Sequence, residues 1–489
     1  MPPTQPAPTR LRRVAEWWGR LREIELATRP VHPETQAALE IRWAELPDSA
    51  RTPGQTLGRH AVGCEGTHGV FPRCNLACTP CYHSRDANRV AVDGAHTRVE
   101  VTKQMRLLRR LRGPRAHAQL IGGEVTLLPP ADHFATLMVM REHGREPMSM
   151  THGDVDYDYL KALAVDDDGQ RRLDRISFAA HVDMLMFGRR GIPRPPDEAA
   201  LNPYRKDFAN KFARLKRDHG VRSFLAHNMT VTPTNLGQIA DVIRTCHGYG
   251  YGLFSFQPAA FVGDDRRWHE SYGDTTGDDV WAEIEKGVGT RLPFRALQIG
   301  DERCNRTSYG FYLGPRWHPI LDDRDPADLR LRDAFLCYLG GVSFSGTPLP
   351  ALSVKLLRAV IRHPSLISSF GAYLARMVRR TGVLPLLRHR IRPVTFVMHS
   401  FMDAEDVAPA WDALERGERC ADPRLAATQD RLRACSYAMA HPETGTLVPA
   451  CVQHSVLDPV ENIELRRLLP LTVTSRRNPD RSTQVRADA

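Results

Sequence analysis

The feature that most constrains the fold of this chain is an alternation of short apolar runs and longer helical segments between residues 70 and 257. The apolar runs predict strands at 70–73, 118–121, 147–151, 175–180, 223–231 and 253–257. Helical periodicity predicts helices between them, at 101–112, 131–143, 157–164, 203–218 and 235–247. Such alternation is typical of a parallel α/β sheet. We therefore expect an α/β fold, a partial (β/α)6 barrel like an incomplete TIM barrel, with its chemistry at the carboxyl ends of the strands.

The chain outside this core divides into further regions. Apolar residues make up 42% of the 489 residues, which is enough for a large buried core and for more than one average domain. Residues 1–63 predict a helical extension with a Pro-rich, disordered start, and residues 64–263 form the core. Residues 264–473 predict an α+β accessory region with a strand at 394–400, and residues 474–489 a disordered tail.

The N-terminus lacks the apolar segment of a signal peptide, and no uncharged apolar run of about 18 residues predicts a transmembrane helix. We therefore expect a cytoplasmic, reducing location, where clustered cysteines mean metal binding or catalysis more often than disulfides. The formal net charge of +10 favours anionic partners such as phosphate headgroups. An ordinary solvated surface is the alternative, and no specific nucleic-acid partner is expected.

Three of the ten cysteines, Cys74, Cys78 and Cys81, form a C-x3-C-x2-C motif. Three thiolates on one short loop can bind three irons of a [4Fe–4S] cubane and leave the fourth iron without a protein ligand. Zinc, the main alternative, usually takes four ligands, commonly as two separated pairs. The motif therefore predicts a [4Fe–4S] cluster with one open iron, and no other catalytic residue is assigned.

Polar and glycine residues near the ends of the predicted strands are candidates for cofactor binding. Gly122, Gly123 and Glu124 follow the second predicted strand, where glycines permit close approach of the backbone to a ligand. Three polar residues lie within later strands and can face a barrel interior: Ser177, Asn228 and Gln257. For Ser177 and Asn228 the alternative is a hydrogen-bonded core side chain without a ligand.

The later cysteines leave two interpretations open. Cys304, Cys435 and Cys451 are the preferred ligands of a possible auxiliary [4Fe–4S] cluster, since cluster ligands need not be adjacent in the chain. Cys64 is a further but weaker candidate. The alternative is a set of buried free cysteines that act as small apolar side chains.

Residues 353–393 form a block rich in Leu, Val, Ile and Arg that contains no acidic residue. One interpretation is an amphipathic surface that docks peripherally on anionic lipid. The other is a pair of ordinary helices packed on the core. Pro364 and Pro385 divide the block into at least two segments.

The cysteine motif and the Gly122-Gly123-Glu124 turn together resemble the radical S-adenosylmethionine (SAM) superfamily over about residues 67–260. The resemblance implies that SAM binds the open iron and that the cluster reduces it to a 5′-deoxyadenosyl radical. It also implies an external reductant such as a ferredoxin or flavodoxin. Within this resemblance, Gly122, Gly123 and Glu124 help to hold SAM.

A narrower resemblance rests on residues 228–236, 254–263, 399–403 and 435–451. These stretches are similar to the radical SAM group that contains archaeal tetraether lipid synthase and the pterin C-methylating enzymes. That group begins with a cysteine-rich iron site, which is missing here because residues 1–63 hold no cysteine. The resemblance implies a transferase of lipid metabolism that attacks an unactivated C–H bond, forming a C–C bond or adding a methyl group. The alternatives are modification of a small heterocycle or peptide, and a non-catalytic iron–sulfur electron carrier or regulator.

Overall fold

The structure, a computed structural model, describes residues 10–81, 88–114, 116–262, 268–344 and 347–471. The Pro-rich start up to residue 9 and the predicted disordered tail at 474–489 lie outside these residues. Within the described ranges, no helix combines the length and the apolar character needed to cross a membrane.

The helices predicted between the strands are all present, as α3 to α7. The helices are α1 (Arg10–Thr28), α2 (Pro33–Glu45), α3 (Gly94–Arg112), α4 (Pro130–Glu142), α5 (Tyr157–Ala164), α6 (Asn202–His219), α7 (Ile239–Cys246), α8 (Gly277–Val288), α9 (Pro326–Tyr338), α10 (Leu349–Arg362), α11 (Ser365–Thr381), α12 (Val383–Arg388), α13 (Ala404–Glu415), α14 (Pro423–Arg433), α15 (Ala450–Val452) and α16 (Asp458–Leu468). Helix α3 begins earlier than predicted because the Asp93 carboxylate accepts a hydrogen bond from the His96 amide and caps the first turn.

The strands are short. They are β1 (Cys64–Gly66), β2 (Ala77–Cys78), β3 (Ala116–Leu120), β4 (Arg145–Thr151), β5 (Arg175–His181), β6 (Met186–Phe187), β7 (Arg222–Val231), β8 (Leu253–Pro258), β9 (Asn305–Ser308), β10 (Gly310–Leu313), β11 (Arg316–Pro319), β12 (Ile391–Pro393), β13 (Thr395–His399), β14 (Tyr437–His441) and β15 (Thr446–Pro449).

The main sheet has ten strands in the order β15-β14-β1-β3-β4-β5-β7-β8-β13-β9. The strands from β14 to β13 are all parallel, and the two end strands are antiparallel to their neighbours. The prediction of an α/β fold with a parallel sheet is therefore confirmed. The strands of the predicted core lie side by side in chain order, and two parallel strands from the C-terminal region, β13 and β14, extend the sheet at both ends.

One face of the sheet is apolar, and the other, the polar face, mixes polar side chains with apolar ones such as Ala179 and Ala226. Alternate residues of the central strands, such as Phe178, Met229 and Phe254, are fully buried in the large core that the helices cover. Side chains of a strand alternate between faces, so the residues between them face the other side. That side carries Asn228, whose neighbours on the adjacent strands are His181 and Ser255.

A buried ion pair explains how β1 can contain a charged residue. The Glu65 carboxylate accepts two hydrogen bonds from Arg145, at 2.9 and 3.0 Å, and both side chains are fully buried. A planar guanidinium matches a carboxylate in this bidentate geometry, which compensates part of the cost of burying both charges. The pair ties β1 to the start of β4.

The prediction of a first strand at 70–73 is wrong, because the first strand of the sheet is β1. Two backbone carbonyls of the segment 70–73 accept hydrogen bonds from the turn after β3 and not from a neighbouring strand. The Gly123 amide donates to the Phe71 carbonyl at 2.7 Å, and the Glu124 amide donates to the Arg73 carbonyl at 2.9 Å. The segment therefore docks on the turn after β3.

The basic apolar block at 353–393 folds as most of α10, followed by α11, α12 and β12. Many of its large apolar side chains stay exposed, among them Leu357, Ile361, Ile367, Phe370 and Leu387. Helices that pack only on a protein core would bury one apolar stripe. Here a second apolar surface remains uncovered within the described part of the chain.

Candidate active site

An open cavity lies at the carboxyl ends of the parallel strands. Its wall combines the cysteine motif with residues at or just after the carboxyl ends of β3, β4, β5, β7 and β8. They include Cys74, Cys78, Cys81, Gly122, Gly123, Met150, Thr151, His152, His181, Asp183, Thr230, Gln257 and Pro258. This is the edge of the sheet at which α/β folds place their chemistry.

The three predicted cluster ligands meet in this cavity. Burial raises the pKa of Cys74 to about 12, and the nearby Cys81 thiol contributes to the rise. A hydrogen bond to Cys81, together with burial, raises the pKa of Cys78 well above its ordinary value. Buried thiolates that also repel one another need a bound cation to stay ionised together. The donor set therefore fits an iron–sulfur cluster.

The motif is held in place by its flanking backbone. The Leu76 amide donates to the Cys74 sulfur at 3.3 Å, and the Cys74 amide donates to the Asn88 side-chain oxygen at 3.0 Å. The short strand β2, which ends at Cys78, pairs antiparallel with β6. These contacts hold the loop in place.

Gly122 and Gly123 line the cavity, and the structure gives a reason for both glycines. A Cβ at Gly122 would lie 2.4 Å from the Phe71 ring, and a Cβ at Gly123 would lie 2.0 Å from the Arg73 carbonyl oxygen. Neither contact is sterically possible, so only glycine allows the segment before Cys74 to dock here. The glycines therefore position the cysteine motif as well as the cavity wall.

Glu124 lies behind the cavity wall. Its side chain is fully buried and accepts hydrogen bonds from the Thr126 amide and hydroxyl, at 3.0 and 2.6 Å. It also accepts from the Thr151 hydroxyl and the His152 amide, both at 2.7 Å. The carboxylate thus joins the turn after β3 to the end of β4, and it is a positioning group for the residues that do line the cavity.

Of the remaining three predicted cofactor-binding residues, one lines the cavity and two do not. Gln257 lines the cavity at the end of β8. Ser177 and Asn228 are buried on the polar face of the sheet but are not among the residues that line the cavity. Asn228 lies two residues before Thr230 on the same face of β7, and Thr230 does line the cavity.

Sequence reasoning missed a hydrogen-bonded group formed by His181, Asp183 and Thr230. His181 Nε2 lies 2.8 Å from the Asp183 carboxylate and 3.0 Å from the Thr230 hydroxyl. The Asp183 carboxylate also accepts from the Thr230 amide at 2.9 Å. These polar residues stand at the carboxyl ends of β5 and β7, so the rule that singled out the glycines after β3 could have found them.

His152 is a second missed residue of the cavity wall. Its Nε2 lies 2.8 Å from the Asn75 side-chain oxygen, within the cysteine motif. The Asp154 amide donates to its Nδ1 at 3.0 Å, so Nε2 carries the hydrogen. Burial lowers the pKa of His152, which keeps the ring neutral. The side chain therefore links the end of β4 to the cysteine motif.

The cysteines predicted as auxiliary ligands also come together, and Cys64 joins them. Burial is the largest cause of the raised pKa of Cys64, Cys304 and Cys451, and the Cys435 thiol contributes to each. The Arg431 Nε donates to the Cys304 sulfur at 3.1 Å, and the Met402 amide donates to Cys451. Four thiols from distant parts of the chain thus converge beside β1 and β14.

No protein family model and no curated protein matches the chain. Among solved structures, native anSMEcpe with bound AdoMet has a TM-score of 0.28 at 14% identity, over 45% of this chain and 57% of that chain. Streptococcus suis SuiB bound to S-adenosylmethionine has a TM-score of 0.27 at 14% identity, over 41% of this chain and 39% of that one. Scores this low do not establish a shared fold.

Proposed function

We propose that this chain is a radical SAM enzyme whose [4Fe–4S] cluster is held by Cys74, Cys78 and Cys81. The observation that carries the proposal is the convergence of these thiols in one cavity at the carboxyl ends of parallel strands. Three thiolates leave one iron of a cubane free for SAM. When bound, the cluster would supply one electron that breaks a C–S bond of SAM and releases methionine and a 5′-deoxyadenosyl radical, which takes a hydrogen atom from an unactivated C–H bond.

The spacing of the thiols favours a cluster over a single zinc ion. Ligand atoms around one ion lie close to each other, whereas cubane ligands sit on different irons and lie further apart. In the described part of the chain, the only group of three or more candidate ligand atoms within 4.8 Å of one another contains no cysteine. Neither group therefore brings three sulfurs close enough to bind one ion together, although Cys78 and Cys81 lie within hydrogen-bonding distance of each other.

The residues of the cavity have separable tasks under this proposal. The Leu76 amide hydrogen bond stabilises negative charge on the Cys74 sulfur. The His181, Asp183 and Gln257 side chains offer polar groups for the amino acid and ribose parts of SAM. Apolar residues of the same wall, among them Leu185, Met186 and Phe401, exclude water from a reactive radical.

We extend the proposal to an auxiliary [4Fe–4S] cluster held by Cys64, Cys304, Cys435 and Cys451. Four thiolates complete the coordination of a cubane. Arg431 and the Met402 amide supply the hydrogen bonds that offset the negative charge of the sulfurs. Phe401, which lines the SAM cavity, and Cys435 both pack against one buried cluster, formed by Ile121, Tyr437, Met439 and Ala450.

The proposed substrate is a lipid or another long apolar molecule, and the proposed outcome is C–C bond formation or methylation. Support comes from the exposed apolar surface of α10 to α12, where Ile361 is 70% and Leu387 is 79% exposed. Helix α1 adds Trp17 and Trp18, and the Arg358 guanidinium donates to the Thr28 carbonyl and ties α10 to α1. A basic apolar surface of this kind suits peripheral docking on anionic lipid.

Not every arginine of this surface is available to a lipid headgroup. Arg376 and Arg380 form ion pairs with Asp328 of α9. Arg362, Arg379, Arg388 and Arg390 form no ion pair with the described residues, and no acidic residue lies between 349 and 402. These four side chains are the ones we assign to headgroup contact.

The test of the main proposal is anaerobic reconstitution with iron, sulfide and SAM. Dithionite replaces the unidentified reductant, which we propose to be a ferredoxin or flavodoxin, and 5′-deoxyadenosine is measured. The wild type and Cys337→Ala, which removes an exposed cysteine, should form it, whereas Cys78→Ala should lose the radical-site cluster and the product. Wild-type protein with an intact cluster that forms no 5′-deoxyadenosine would instead be an electron carrier or regulator.

Modification of a small heterocycle or peptide is the second candidate. The polar side chains His152, His181 and Asp183 in the cavity wall favour it, because they can bind a polar substrate as well as SAM. Flotation with anionic vesicles separates the two candidates. Protein that stays with the soluble fraction, while still cleaving SAM, favours the small polar substrate.

A further inference from the structure

Two histidines and a glutamate converge outside the cavity and the cysteine groups. His68 follows β1, His441 ends β14, and Glu461 lies in α16. One ligand atom from each lies within 4.8 Å of the other two. The imidazole rings of His68 and His441 are stacked, with centroids 4.1 Å apart. Three separate segments of the chain thus bring metal-binding side chains to one point.

The hydrogen bonds of His68 fix which nitrogen carries a hydrogen. Its Nε2 lies 2.7 Å from the Ala440 carbonyl oxygen. Because a carbonyl only accepts, Nε2 is the donor, and in the neutral ring the lone pair is then on Nδ1. That Nδ1 faces the Glu461 carboxylate at 3.0 Å. A lone pair and a carboxylate oxygen repel each other unless a cation or a proton lies between them.

His441 has the same arrangement. Gln453 donates through its side-chain nitrogen to Asp458 at 2.9 Å and to Glu461 at 3.0 Å, which fixes the orientation of the amide. The Gln453 oxygen therefore accepts, and His441 Nε2 donates to it at 2.6 Å. The Nδ1 of His441 is then left with its lone pair, 3.9 Å from Glu461.

Histidines that bind a metal usually donate their other N–H to a carbonyl or carboxylate, which fixes the tautomer and orients the ring. Both histidines here already have such a partner, which is the Ala440 carbonyl for His68 and the Gln453 side-chain oxygen for His441. The chain also forms a π-helical turn, Gln453–Leu457, directly before α16, and such turns are frequent at functional sites. The turn places Gln453 and Asp458 beside the histidines.

We propose that His68 Nδ1, His441 Nδ1 and the Glu461 carboxylate bind one divalent transition-metal ion, for which zinc is the probe. Two imidazoles and one carboxylate are a common ligand set for zinc and for other first-row ions, and they leave a coordination position open. The carboxylate and the nearby Asp458 offset the charge of the ion. The site is separate from both cysteine groups and does not depend on radical chemistry.

The ion would join β1, β14 and α16. A Cβ at Gly69 would lie 3.6 Å from the Glu461 carboxylate, so the site directly adjoins the segment that leads to Cys74. Its effect on the protein is therefore to fix the backbone between β1 and the cysteine motif.

The experiment uses the full chain, purified anaerobically with its clusters, incubated with zinc and desalted. Zinc is counted by mass spectrometry, and its ligands are identified by X-ray absorption at the zinc edge. We expect one zinc per chain with only nitrogen and oxygen ligands, at roughly 2.0–2.2 Å. His441→Gln and Glu461→Gln should each weaken zinc binding at least tenfold. The control His363→Gln, in which a histidine stacked on Tyr338 is replaced, should retain zinc.

Two results would overturn the proposal: no retained zinc, or zinc bound through sulfur at about 2.3 Å, which would indicate occupation of empty cysteine sites. Zinc binding that both variants leave unchanged would also overturn it. Because a variant can fail to fold, the wild type provides a further measurement. An ion that binds only the folded state raises Tm, so an unchanged wild-type Tm in excess zinc contradicts the site.

Discussion

Gly123 lies against the backbone of Arg73, with room for no side chain between them. A Cβ at this glycine would stand 2.0 Å from the Arg73 carbonyl oxygen, and the next amide, that of Glu124, donates to the same oxygen at 2.9 Å. Arg73 directly precedes the first cysteine of the motif. The glycine therefore determines where the cysteine motif begins.

Replacing Gly123 with Ala should displace the segment before Cys74. We expect a loss of stability of about 1–3 kcal/mol, as for other overpacked sites, and a loss of more than half of the iron bound by Cys74, Cys78 and Cys81. Iron content and thermal unfolding measure the two effects. The control is Gly237→Ala, because a Cβ there meets nothing within 4 Å. Equal iron content in the two variants would contradict this role.

Replacing Glu124 with Gln should destabilise the turn after β3. The carboxylate accepts from four donors, on both oxygens, and an amide can accept on only one of its atoms. We expect a loss of about 1–3 kcal/mol in the free energy of unfolding, measured in urea. Glu142→Gln, at an exposed position in α4, should change stability by less than about 0.5 kcal/mol. If both variants unfold at the same urea concentration, the hydrogen bonds of Glu124 do not stabilise this turn.

Under the proposed function, replacing Cys64 with Ser should remove the proposed auxiliary cluster and leave the cluster proposed at Cys74, Cys78 and Cys81 in place. Iron should fall from about eight to about four per chain, since each cubane holds four irons. SAM-dependent formation of 5′-deoxyadenosine should persist. Cys420→Ser is the control, since the pKa shifts of the converging thiols do not involve Cys420. Wild-type protein with only four irons per chain would show that Cys64 is a free thiol and not a cluster ligand.

Polar substitutions on the exposed apolar surface should weaken binding to anionic vesicles. Ile361 and Ile367 are 70% and 64% exposed, so the double change to Gln should leave Tm within a few degrees of wild type. We expect at least a tenfold loss of vesicle binding in a flotation assay. Ile463→Gln in α16, at 54% exposure, is the control for a change elsewhere on the surface. Absence of wild-type binding would exclude the docking surface.

The metal-free protein should lose stability at alkaline pH. Burial raises the pKa of Cys74 from its ordinary value near 9 to about 12. Below pH 9 the thiol is protonated in both the folded and unfolded states, and its contribution to stability is fully present. As the pH rises from 9 towards 12, the unfolded state ionises first, so stability falls. Urea unfolding between pH 8 and 10.5 should show this slope, and Cys74→Ala should reduce it.

The elements of the core could be predicted because their signals are local. Helical periodicity and apolar runs located α3 to α7 and the strands from β3 to β8 that belong to the main sheet. Strand β1 was missed because it has three residues and contains Glu65. That charge is tolerated only because Arg145 pairs with it from 80 positions further along the chain, and no local pattern reports such a partner.

In the candidate site, too, local features could be predicted from the sequence, and features that depend on distant partners could not. The motif of Cys74, Cys78 and Cys81 is visible because its spacing is short. The grouping of Cys64 with Cys435 depends on the parallel pairing of β1 with β14, in which Cys64 lies opposite Tyr437. The role of Glu124 was also out of reach, since its partners Thr151 and His152 belong to the next strand.

The position of β13 and β14 has a consequence for any shortened version of this protein. These strands come from the region after residue 264, yet they pair in parallel with β8 and β1, the outermost strands of the predicted core. Cutting the chain at the predicted boundary after residue 263 would make β8 and β1 edge strands. The backbone amides and carbonyls that now pair with β13 and β14 would then have no partner. Such edges recruit strands from other molecules. The isolated core should therefore aggregate, because in the full chain β13 and β14 cover its two outer strands.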